Sequence, residues 1–204
     1  MFRHTLPPFT SWLFPSLLWQ VATSSPEVYL TFDDGPHPSI TDEVLAMLEK
    51  YQAKATFFCV GDNVIKYPEV VARIRAKGHA LGNHTHHHLN GWKTPNDVYI
   101  KDIATCASVL PDRLFRPPYG RITPSQIKLL KTDYSIVMWS ILTRDYDKNL
   151  LAESALVFCQ NALKSGSILV MHDSEKAYKN MIYILPRLLE YGVSNGFRFK
   201  ALNQ

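Results

Sequence analysis

Apolar residues fall in short bursts along most of this chain, and each burst ends at a polar, glycine- or proline-marked turn. Residues 27–32 alternate, are rich in β formers and stop at Asp33-Asp34-Gly35-Pro36, which predicts a strand and then a turn. Residues 41–51 place Val44, Leu45 and Leu48 at helical spacing. Residues 55–60 read as a second buried strand, and residues 68–77 as a helix stopped by Gly78. The alternation continues with strands near 79–82, 114–116, 135–139, 167–171 and 197–200, and helices near 97–110, 124–131, 153–164 and 181–191. Strands alternating with helices imply parallel pairing through right-handed crossovers. About seven strands in one domain favour an α/β fold, a compact and distorted or incomplete (β/α) barrel. In that architecture polar groups just after strand C-termini mark the active face, and Asp33, Asp34, His84, Tyr119 and His172 all fall there.

Composition narrows the class. The chain has 204 residues, 46% hydrophobic and 20% charged, which fits one large domain and a core needing no disulfide staples. The net charge of +4 is spread along the sequence, too weak a bias for a nucleic-acid partner. Cys59, Cys106 and Cys159 lie far apart in apolar contexts, so they read as core thiols, favouring a reducing, cytoplasmic compartment. The segment 1–26 is ambiguous. Its apolar run from Phe9 to Ala22, after Arg3, suggests a signal peptide or anchor and hence a secreted, periplasmic or cell-envelope protein. Against that, Pro15 breaks the run and Trp12, Trp19 and Gln20 suit it poorly, so the favoured reading is a retained segment packed on a domain of residues 27–204, with no transmembrane span.

Four clusters carry candidate chemistry. Adjacent carboxylates Asp33 and Asp34 at an apolar strand end repel each other, a conflict a cation resolves, although Asp-Asp-Gly-Pro alone also reads as a polar turn. In His84-Thr85-His86-His87-His88, residues 84 and 88 are four apart, so one helical turn or a compact loop aims both at one point. With Asp34 they make two imidazoles and a carboxylate, a set suited to zinc or to ferrous iron; His86 and His87 read as solvated loop residues. Arg116, before Pro117 and Pro118, is placed to clamp a carboxylate through two hydrogen bonds. Finally, the apolar run 167–171 delivers His172 to the active face.

Together, Thr31-Phe32-Asp33-Asp34-Gly35-Pro36, His84-Thr85-x-x-His88, Arg116-Pro-Pro-Tyr119 and Val170-Met171-His172 resemble the successive motifs of the NodB-homology polysaccharide deacetylases, carbohydrate esterase family 4. The resemblance covers nearly the whole chain from Glu27 onward, and its first two motifs in this order are highly specific. It implies metal-dependent hydrolysis of N-acetyl groups on a polysaccharide or oligosaccharide by a monomer. Asp33 would be the base and His172 the acid, with one metal, zinc or else cobalt or nickel, held by Asp34, His84 and His88. Arg116 would orient Asp33, the Tyr119 backbone N–H would steady the oxyanion, and Val170 would help seat the acetyl methyl. Pro118, Tyr119, Trp139 and Tyr146 are further candidates for substrate contact, as is Trp92; Trp139 reads equally well as core. The family's fourth motif, Asp-x-x-Asp-Trp, is altered to Leu142-Thr143-Arg144-Asp145-Tyr146, leaving Asp145 to steady Arg116 or His172. Rival readings on the same scaffold are a C–N hydrolase for a small amide or imide and an O-acetyl esterase; a ferrous oxygenase would leave Arg116 without a role.

Overall fold

The computed structural model describes residues 10–203 and arranges them around one curled sheet of eight strands. The strands are β1 (Glu27–Asp33), β2 (Ala55–Cys59), β3 (Ala80–Asn83), β4 (Leu114–Phe115), β5 (Ser135–Ile136), β6 (Ile141–Leu142), β7 (Ile168–His172) and β8 (Arg198–Phe199). They follow the order β5-β4-β3-β2-β1-β7-β6, with β8 beside the start of β1, and every pairing is parallel. The helices are α1 (Thr10–Leu13), α2 (Ile40–Lys50), α3 (Gly61–Lys66), α4 (Pro68–Ala76), α5 (Asn96–Val109), α6 (Pro124–Leu130), α7 (Ala152–Ala162) and α8 (Tyr178–Ser194). This is the incomplete barrel expected from the alternation. The largest core cluster joins Leu30, Phe32 and Phe57 of the sheet to Leu45 and Leu48 of α2 and to Ile184, Leu185, Leu188 and Leu189 of α8. Each such side chain contributes roughly 1.5–3 kcal/mol by burial.

Two elements differ from the sequence reading. The helix α3 is too short to display a 3.6-residue period. The expected single strand at 135–139 is interrupted, because β5 and β6 lie on opposite edges of the sheet and residues 137–140 cross the seam between them. There Val137 N donates to Phe115 O (2.8 Å), Met138 N to Leu18 O (2.8 Å) and Ser140 N to Ile168 O (3.0 Å).

Leu18 is therefore a structural part of the barrel. Its N–H also donates to Ile136 O at 2.9 Å, and Val21 N donates to Gly166 O at 2.9 Å. Leu17 is buried in a cluster with Ile127, Leu130 and Met138. The part of the amino-terminal reading that concerns residues 1–9, Arg3 included, lies outside the described residues. Leu17→Ala is expected to cost about 2–3 kcal/mol, seen as a fall of roughly 4–12 °C in a thermal melt; an unchanged melt would show that this segment does not support the domain.

Candidate active site

The site is built where the strands end. Asp33, the last residue of β1, pairs in register with His172 of β7 and Phe58 of β2. Its carboxylate accepts a hydrogen bond from Arg116 Nη1 at 2.7 Å. Arg116 follows β4, and its side chain is wholly buried, its guanidinium lying 4.2 Å from the centroid of the Phe58 ring. The two-bond clamp expected for Arg116 is not what forms. Nη1 also donates to Thr31 Oγ1 (2.7 Å), Nε to Val137 O (3.2 Å) and Nη2 to Met138 O (2.9 Å), so one bond remains for Asp33. Arg116 thus ties the seam crossing to the base of the site, and Asp33 supplies the counter-charge a buried guanidinium requires.

Asp34 turns the other way. Its φ of 80° lies in the left-handed region that side chains other than glycine rarely adopt, and Asn63 Nδ2 donates to its carbonyl at 2.8 Å. The next residue has to be glycine, since a Cβ on Gly35 would sit 2.2 Å from Asp173 Oδ2. Asp173 accepts from Gly35 N (3.1 Å) and Thr41 Oγ1 (2.5 Å) and so holds the Asp-Asp-Gly turn against β7. Burial and the nearby charge of Asp34 push the Asp173 carboxyl up to about 7, against the pull of those hydrogen bonds.

The histidine segment is a loop and not a helical turn: Thr85 and His88 have φ of 62° and 56°. Asn83 Oδ1 accepts from Thr85 N (2.8 Å) and Thr85 Oγ1 accepts from Leu89 N (3.0 Å), fixing the loop from within. His84 Nδ1 donates to the Arg116 carbonyl at 2.7 Å, which leaves the Nε2 lone pair free. That atom lies 3.9 Å from Asp34 Oδ1, and His88 Nε2 lies 3.2 Å from the same oxygen. The donor atoms of Asp34, His84 and His88 all lie within 4.8 Å of one another, a set that could hold a metal ion. Burial holds the His84 imidazole down at about 4, hence neutral as a ligand must be. Burial opposes ionisation of Asp34, yet the His88 hydrogen bond and the charges of His172, His84 and His88 carry its carboxyl below the ordinary range.

Across the site, His172 Nδ1 donates to Asp145 Oδ1 (2.7 Å), and His172 N donates to Asp145 Oδ2 (2.8 Å). Asp145 therefore serves His172 and not Arg116. Burial lowers this imidazole, but the charge and hydrogen bond of the wholly buried Asp145, with Asp34 and Asp33 beyond, outweigh that and raise it to about 9. Tyr146 packs edge-on to His172, ring centroids 5.1 Å apart, while Leu142 is buried in β6. Val170 lies in β7 two residues before His172, on the same face of the strand, and is buried. Tyr119 has a φ of 59°, and its 60%-exposed ring leans on His88 at 4.7 Å. Pro118 is buried, and Trp139, partly buried, packs beside Gly120 and against the core. Trp92 is turned to its own loop: its indole N–H bonds Ile122 O (3.0 Å) and Arg121 covers its ring at 4.0 Å.

A model of the polysaccharide deacetylase family matches residues 20–134. The chain belongs to that family. A peptidoglycan-N-acetylglucosamine deacetylase of Bacillus cereus is 34% identical over 187 residues, covering 86% of this chain and 66% of its own length. A chitooligosaccharide deacetylase of Azorhizobium caulinodans is 32% identical over 76% of this chain and 77% of its own. Among solved structures, that of a peptidoglycan N-acetylglucosamine deacetylase in complex with 4-naphthalen-1-yl-N-oxidanyl-benzamide superposes with a TM-score of 0.88 at 31% identity, covering 97% of this chain and 95% of that one.

Within this polysaccharide deacetylase, sequence reasoning missed three contributors. Thr31 helps seat Arg116, Asp173 holds the Asp33-Asp34-Gly35 turn, and Asn63 holds the Asp34 carbonyl. Asp173 had a legible signal, a second carboxylate directly after an active-face histidine; Thr31 and Asn63 look like ordinary polar residues. The reading of His86 as solvated is overturned: its side chain is 8% exposed, because it fills the space left by Gly61.

Proposed function

We propose that this chain removes acetyl groups from the nitrogen of N-acetylglucosamine-type units in a polysaccharide or oligosaccharide, acting as a monomer. One arrangement supports the reading: Asp33 and His172 face each other in register on neighbouring strands, with the Asp34, His84 and His88 donors gathered beside them. The names of the relatives, peptidoglycan and chitooligosaccharide deacetylases, point the same way. The donor set fits a divalent cation, zinc first and cobalt or nickel next, since His84 is neutral with a free Nε2 and Asp34 is ionised. Such an ion, when bound, supplies Lewis acidity that polarises the acetyl carbonyl and makes a nearby water acidic.

The side chains do the rest. Asp33, oriented by Arg116, takes a proton from the water as its oxygen bonds the acetyl carbon. The Tyr119 backbone N–H donates to the oxygen as it gains negative charge, a type of contact worth about 3–4 kcal/mol elsewhere. His172 enters protonated, its Nδ1 tied to Asp145, and gives its Nε2 proton to the nitrogen as the C–N bond breaks. Acetate and a free amine leave. Val170 lies beneath as an apolar seat for the acetyl methyl, while Pro118, Tyr119, Trp139 and Tyr146 shape the approach of the sugar.

The experiment is acetate release from acetylated sugars of defined length, N- and O-acetylated, and from small amides. The expected result is release that rises with chain length for N-acetylated glucosamine oligomers and stops on chelation. Equal or faster release from small amides would overturn the glycan assignment.

No described helix is long and apolar enough to cross a membrane, and the three cysteines are buried and unpaired.

A further inference from the structure

The loop between His84 and His88 carries a second set of donors that the proposed chemistry does not use. Asp62, in the first turn of α3, and His86 and His87 each offer a ligand atom, and these atoms lie within 4.8 Å of one another. We propose that Asp62, His86 and His87 form a second divalent-cation site, separate from the Asp34, His84 and His88 set.

Three observations carry this. The donors are positioned by the backbone: Gly61 N donates to Thr85 O (3.0 Å) and Asp62 N to His86 O (3.1 Å), so the start of α3 is stitched to the histidine loop. Asp102, buried on α5, does for His87 what a supporting carboxylate does for a metal-bound histidine. Its Oδ2 accepts from His86 N (2.8 Å) and His87 N (3.1 Å), and its Oδ1 accepts from His87 Nδ1. That bond fixes the ring and leaves the lone pair on Nε2. The third observation is His86 itself. Packing and not hydrogen bonding seats its ring: a Cβ on Gly61 would fall 2.1 Å from Nδ1, and that buried nitrogen has no partner among the described residues. Here the ring is held so that Nε2 stands 3.4 Å from Asp62 Oδ1. An ordinary ion pair with Asp62, whose side chain is 58% exposed, offers little return for burying the imidazole.

Two imidazoles and one carboxylate select zinc, nickel, cobalt or copper over calcium and magnesium, which prefer all-oxygen shells. His87 and Asp62 are largely exposed, so water completes the shell and the ion exchanges with solvent. The site shares the loop with His84 and His88 but none of their ligands, so its loss leaves the first set in place.

Zinc binding to the metal-stripped full chain, measured by titration calorimetry and equilibrium dialysis, tests this. Wild type is expected to take two ions, one tightly and one more weakly. Asp62→Asn and His87→Ala should each weaken the second at least tenfold, with acetate release within twofold of wild type once the first is filled. His84→Ala should lose the tight ion and keep the weak one, which separates this proposal from the deacetylase reading. Thermal melts check that each variant is folded. A single ion in wild type, or two undiminished ions in both Asp62→Asn and His87→Ala, would overturn the second site.

Discussion

Asp33→Asn is expected to lower kcat by about a thousandfold, within the range for loss of a positioned general base, while zinc binding at Asp34, His84 and His88 stays intact. Two effects compete in this variant. Asparagine Oδ1 still accepts from Arg116 Nη1, so the hydrogen bond survives. The counter-charge does not, and the guanidinium is wholly buried. Breaking such a pair costs about 3 kcal/mol, against a typical stability of about 5–15 kcal/mol. The variant therefore stays folded, with its melting temperature lower by roughly 6–12 °C, and the loss of turnover is chemical. Calorimetric zinc binding beside acetate release distinguishes the outcomes: a folded, zinc-loaded Asp33→Asn enzyme with wild-type turnover would remove Asp33 from the mechanism.

The second large effect concerns pH. His172 must be protonated to serve the leaving nitrogen, and Asp145 is the main reason its imidazole is raised to about 9. A raised imidazole is charged throughout the range below its ordinary value of roughly 6.5 and loses its proton as pH climbs through about 9. Wild-type kcat should therefore hold through neutrality and fall on the alkaline side near 9. In Asp145→Asn the amide oxygen still accepts from Nδ1, while the amide NH2 can no longer accept from His172 N, so the charge and one backbone hydrogen bond are lost. If the imidazole returns to roughly 6.5, kcat falls about thirtyfold at pH 8 and hardly at all at pH 6, a difference of about twentyfold. An equal loss at both pH values would mean that Asp145 only positions the ring.

The fold and the site were unequally legible in the sequence. Helices α2 and α8 announce themselves because each buries one periodic face, and strand β1, buried on both faces, because it is a short run of β formers closed by an Asp-Gly-Pro turn. The two-residue strands β5 and β6 do not, because their pairing is decided by partners distant in the chain, Phe115, Leu18 and Ile168. The same holds within the site. Asp33, Asp34, His84, His88 and His172 could be picked out because their residue types are costly to place together unless they are used. What could not be read was which groups pair. The sequence left Asp145 with two possible partners, and the structure gives it to His172. It suggested a two-bond Arg116 clamp, where backbone carbonyls of the seam take the remaining donors. Backbone strain was equally silent: apart from Gln52, the described non-glycine residues with positive φ, Asp34, Thr85, His88, Tyr119 and Arg144, all lie in loops around the site.

The most direct test of metal-assisted deacetylation at this site is acetate release from an N-acetylglucosamine oligomer while zinc is added back to the metal-stripped protein. The expected result is no release without metal, and a rise that saturates at one tightly bound zinc per chain in wild type and is absent in His84→Ala. Full activity in the stripped protein, or an equal zinc-dependent rise in His84→Ala, would contradict it.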